Sequence, residues 1–107
     1  MVVSKRSAAH EKAHLSKEEL AFKVAARRNR LLGLWVADKL GLSGEAAAAY
    51  AREVVVADLD EPGDADIVRK VAGDLAAKGI DVSAKEIGER MQALLAEARA
   101  QITQETQ

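Results

Sequence analysis

The side chains best suited to chemistry fall in three small groups. His10 and His14 stand four residues apart, the spacing at which two imidazoles share one face of a helix and could hold a metal ion or change charge near neutrality. No carboxylate completes a metal geometry around them, so the pair reads as a pH-sensitive contact or as two ordinary exposed histidines. Residues 58–66, DLDEPGDAD, place Asp58, Asp60, Gly63 and Asp64 near the first, third, sixth and seventh positions of a calcium loop. The twelfth position, which needs a bidentate Glu, is Arg69, so the EF-hand is excluded and the acids read as turn formers and helix-dipole partners. Arg27, Arg28 and Arg30 form a basic turn that could contact a phosphate or a partner. Nucleic-acid binding would need a wider basic surface and an aromatic platform or helix-turn-helix, and neither accompanies it.

Other catalytic machinery is missing from the sequence. There is no GxxxxGK[ST] loop, no GxGxxG turn and no triad spacing. Cysteine is absent, which excludes a disulfide framework, a thiolate zinc site and a thiol nucleophile. These observations point away from an enzyme and towards a binding protein.

The elements that would carry these residues are helices. Ser16 with Glu19 three residues on forms a capping box, and Gly41 supplies the left-handed stop, so residues 16–42 are predicted to be one long helix. About 25 residues at about 1.5 Å each span about 37 Å, more than a small domain needs, so one part should pack and another reach outward. Val24, Leu31 and Trp35 fall on one face, with Leu32, Val36 and Leu34 beside them, while Phe22 is a satellite contact or part of an outward surface. Ser43 is expected to cap a second helix to about Leu59, with Ala47, Tyr50, Ala51, Val54 and Val55 on one face. Pro62-Gly63 breaks it, and Asp64 is expected to cap a third helix to Lys78 that buries Ile67, Val68, Val71, Ala72 and Leu75. Gly79 ends that helix, and Ser83 with Glu86 is expected to form a second capping box that opens a fourth helix to about Thr103, whose stripe is Ile87, Met91, Leu94, Leu95, Ala98 and Ile102. The expected fold is all-α: a four-helix bundle-like domain over residues 16–107, with a long first helix and a flexible N-terminal arm, residues 1–15.

At 107 residues the chain can bury one core without metal or disulfide help. No apolar run is long enough to span a membrane, and the first fifteen residues lack the apolar centre of a signal peptide, so no direct membrane insertion is expected. The net charge of −1 conceals an uneven distribution. Residues 1–42 carry nine Lys or Arg against four acids, whereas residues 43–107 carry seven against thirteen. Such an asymmetry can orient a molecule on an acidic partner.

Two segments, AARRNRLLGLWVADKLG (25–41) and DLDEPGDADIVRKVAGDL (58–75), resemble the zeta subunit family of alphaproteobacterial F-type ATP synthases. The likeness extends to the His10-Glu11 step and to Glu19, Leu20, Phe22 and Lys23. It implies an inhibitor of ATP hydrolysis: a four-helix domain, monomeric when free, whose N-terminal arm becomes helical on the F1 head. There the arm would wedge between the alpha, beta and gamma subunits and block rotation in the hydrolytic direction. By position the arm's contacts would be Lys5, Arg6, His10, Glu11, Lys12 and His14, extended by Glu18, Glu19 and Phe22. Arg6 is followed by Ser7 where stronger arms carry an Arg-Glu step, and His14 stands where an aromatic can stand, which implies weaker inhibition. The implied place is cytoplasmic, peripheral to the inner membrane through F1, with no required cofactor. The alternatives are weak binding of an adenine nucleotide near Arg27 to Arg30, and a non-inhibitory F1-associated or nucleic-acid-binding scaffold.

Overall fold

The computed structural model describes residues 15–60 and 63–106. Every element among them is a helix: α1 (Lys17–Lys39), α2 (Gly44–Asp60), α3 (Asp64–Ala77) and α4 (Ala84–Glu105). α1 is the axis of the bundle. α2 and α4 pack along different flanks of it without approaching each other at the backbone, and α3 closes the space between them. None of these helices is long and apolar enough to cross a membrane.

Local chemistry sets the helix ends. At the start of α1 the Ser16 hydroxyl accepts from the Glu19 N–H at 3.1 Å, and the Ser16 N–H donates to Glu19 Oε1 at 3.3 Å, the full reciprocal box. At its end Gly41 adopts φ 80°, the Gly41 N–H donates to the Asp38 carbonyl, and the Leu42 N–H donates to the Ala37 carbonyl at 2.9 Å. That pair of bonds is a Schellman motif, and it turns Leu42 back onto the core. α3 ends the same way at Gly79, with Ile80 as the returning side chain.

The other two starts differ from expectation. Ser43 enters α2 through its carbonyl, which accepts from the Ala47 N–H at 3.3 Å. Gly63, not Asp64, is the cap residue of α3, and it supplies no side-chain bond there; Asp64 is the first helical residue. The reason is tertiary, because the Asp64 carboxylate is held by Arg28 from α1. At α4 the Ser83 hydroxyl accepts from the Glu86 N–H at 3.0 Å, one half of the expected box, without the return bond that Glu19 makes at α1.

The main core is formed by Leu32, Val36 and Ala37 of α1 with Tyr50, Val54, Ile67, Val71, Leu75, Ile87, Met91 and Leu94. Val24 joins Ala98 and Ile102 in a smaller cluster at the other end of α1. The stripes read from sequence on α2, α3 and α4 are the buried ones, with Ala47, Val55, Val68, Ala72 and Leu95 at their half-buried edges. On α1 the stripe is rotated. Its buried line runs through Arg28, Leu32 and Val36 and through Asn29, Gly33 and Ala37, while Leu31, Leu34 and Trp35 are half-buried. Trp35 occupies a seam, its ring between Lys39 Nζ at 4.8 Å and Arg90 of α4 at 5.1 Å from the centroid. Cationic stems therefore cover an indole that the sequence pattern alone would bury.

Gly33 explains the rotation. A β-carbon there would stand 2.6 Å from the Ala51 α-carbon, so α1 and α2 touch backbone to backbone. Only a residue without a side chain permits that approach.

Candidate partner-binding face

The arginine turn is divided among three environments. Arg28 is buried, and its guanidinium donates to Asp64 at 2.9 Å and, through Nε, to Asn29 Oδ1 at 3.0 Å. Asn29, 1% exposed, passes the network on by donating from Nδ2 to Asp58 Oδ2 at 3.0 Å. Asp58 in turn accepts from the Gly63 N–H at 3.5 Å. The ARRN string and the DEPGD turn, far apart in sequence, are thus two sides of one polar junction. It ties the α2–α3 connection onto α1 and leaves no buried polar side-chain atom unpaired among the described residues. Such a network is stable only when complete, because a buried amide or guanidinium without partners costs about 1–3 kcal/mol or more.

Arg27 reaches the other way, to α4. It donates to Gln101 at 2.7 Å and to both carboxylate oxygens of Glu105 at 2.7 and 2.8 Å. The bond from Arg27 holds the Glu105 carboxyl below the ordinary range for its type. Arg30 is exposed and has no ion-pair partner among the described residues. Of the three arginines proposed for a phosphate or partner, two already serve the fold and one faces outward.

A shallow groove of about 320 Å³ opens beside Arg30. Phe22, Lys23, Ala26, Arg27 and Arg30 of α1 line it, with Val55 of α2 and Ile102 and Glu105 of α4. Phe22 is 60% exposed, and the other strongly exposed large apolar side chains, Val56 and Leu59, lie in the last turns of α2. Phe22 is therefore outward-facing rather than a satellite of the core. Glu18 and Glu19 are also exposed, Glu19 serving the cap as well. Lys5, Arg6, His10, Glu11, Lys12 and His14 lie outside the described residues.

The groove and Leu59 were not singled out in the sequence as a surface. Leu59 reads there as the end of a helical run, and the structure leaves it 55% exposed in the last turn of α2. Asn29 was missed as well. An Asn inside an amphipathic helix, flanked by two arginines, was the available signal for a buried polar contact.

The described residues form a small all-α bundle with an exposed Phe22 and an exposed Arg30 on one shallow groove. The sequence profile of the family described as ATPase inhibitor subunit zeta matches residues 1–101, and the chain belongs to that family. Among solved structures, one protein determined in solution by NMR is 50% identical, with a TM-score of 0.69 over 78% of this chain and 95% of its own. No curated protein matches.

Proposed function

We propose that this protein regulates ATP synthase by binding its F1 head and inhibiting ATP hydrolysis, without catalysing a reaction of its own. The observation that carries the reading is the family match over residues 1–101, which takes in the N-terminal arm as well as the helical domain. In this reading residues 1–15 enter an interface of the alpha, beta and gamma subunits and block rotation in the hydrolytic direction. Lys5, Arg6, His10, Glu11, Lys12 and His14 make the leading contacts, and Glu18, Glu19 and Phe22 continue them along α1. The protein then resides in the cytoplasm, held at the inner membrane through F1.

The start of α1 supports this. From Lys17 to Lys23 only Leu20 is even partly buried, so about two turns, roughly 10 Å of helix, are offered to a partner. The capping box gives that stretch a defined end without help from the core, so a helical arm could dock onto a preformed rod.

The test is ATP hydrolysis by F1 from the same organism with increasing amounts of the full chain, beside a chain lacking residues 1–15. Inhibition by the full chain alone is expected. Equal inhibition by both would remove the arm from the mechanism, and no binding of the full chain to F1 would remove the reading altogether.

A further inference from the structure

We infer that the groove beside Arg30, continued by Leu59, is a second docking surface that adjoins the arm's contacts at Phe22, and that it takes an acidic, apolar segment of the F1 head. This rests on the function proposed above and adds to it where the helical domain itself is held. The groove is lined on its apolar side by Phe22, which is 60% exposed, and Val55, and Leu59, 55% exposed, lies one turn beyond Val55 on the same side of α2. The rim is cationic. Lys23 and Arg30 are both exposed, and Glu105, the acid lining the groove, is held by Arg27 in a two-pronged ion pair.

That combination selects its occupant. Apolar side chains supply the contact area, and Arg30, exposed and without an ion-pair partner among the described residues, favours a carboxylate on the incoming segment, while Lys23 lies nearer to Glu105, Glu18 and Glu19. A second copy docking through the same face would bring the Lys23 and Arg30 of both chains into one contact, an accumulation of like charge that disfavours self-association. The surface also shares Phe22 with the exposed turns of α1, so arm and domain would meet the partner along one continuous strip. Two linked contacts raise the effective concentration of the arm at its interface. An arm with few apolar anchors gains most from such tethering.

The chain contains no cysteine, so a single one can be placed at will in the full-length protein. Leu59→Cys carrying a benzophenone is expected to cross-link to an F1 subunit at an acidic segment. The same label at the exposed Ala76, at the opposite end of α3, is expected not to. Arg30→Glu is expected to weaken F1 binding about tenfold with unchanged melting, whereas Lys78→Glu changes it by less than about twofold. Equal cross-linking from both positions, or undiminished binding by Arg30→Glu, would overturn the surface while leaving inhibition by the full chain intact. Failure of the unmodified chain to bind F1 would sink both readings. Cross-linked dimers of this chain formed from Leu59→Cys without F1 would assign the face to a second copy and overturn the inference.

Discussion

Between Arg28 and Ala37, α1 touches all three other helices and buries an arginine and an asparagine along with its leucine and valine. Between Lys17 and Lys23 the same helix exposes every side chain except Leu20, including a phenylalanine. Composition already separates the two stretches, with four charged residues of seven in the exposed one against two of ten in the buried one, but surroundings decide what those charges do. The buried half satisfies its polar groups inside the protein, at Asp64 and Asp58, whereas the exposed half makes side-chain hydrogen bonds only at its cap among the described residues. A charged residue in a helix is therefore no guide to function until its partner is known: Arg28 holds the fold together, and Arg30, two residues on, is available.

Substitutions can break or sharpen this contrast. The largest effect is expected from Leu32→Ala, which removes a fully buried side chain at the centre of the core and should cost about 2–5 kcal/mol in chemical denaturation. Asn29→Ala should cost about 2–3 kcal/mol, because it strands Arg28 Nε and Asp58 Oδ2 as well as losing two bonds. A value below about 0.5 kcal/mol would mean that water replaces the amide and that the junction is not closed. Gly33→Ala gains about 1 kcal/mol of helix propensity but forces α1 from Ala51, for a net loss of about 1–2 kcal/mol.

A smaller effect should appear at high pH. Burial, then the bond donated by its hydroxyl to Asp74 at 2.7 Å, pushes the Tyr50 phenol well above its ordinary value. A raised folded-state value means that the native state holds the proton more tightly than the unfolded chain. The resulting stability is complete below about pH 10, the unfolded value, and is lost as the pH rises above it. Tyr50→Phe should flatten the fall in melting temperature above that pH, and an unchanged slope would show that other groups cause it. The smallest effect on stability belongs to the exposed half: Phe22→Ala should change unfolding by less than about 0.5 kcal/mol while weakening F1 inhibition severalfold. A large loss of stability there would erase the distinction between the halves.

Local features were legible because local physics forms them. The Ser16–Glu19 box and the Gly41 and Gly79 stops involve residues at most five apart, so the sequence specifies donor, acceptor and backbone conformation together. The stripes of α2, α3 and α4 were legible because each helix buries one face. α1 was misread by about one position because it is covered on several sides, and a wide buried surface has no sharp centre in a periodic pattern. Asp64 looked like a helix cap because Asp caps helices well, yet its carboxylate was claimed by an arginine 36 residues earlier in the chain.

By itself, then, the sequence determined the four helices of the described residues, the serine starts of two of them and the glycine stops of two, the apolar face of three, and a family likeness that the profile match bears out. Only the tertiary structure decided which arginines are internal, why Gly33 is a glycine, and where Phe22 and Leu59 point. Each of those answers depends on which side chain from a distant helix reaches the same point in space, and no spacing within a single helix records that.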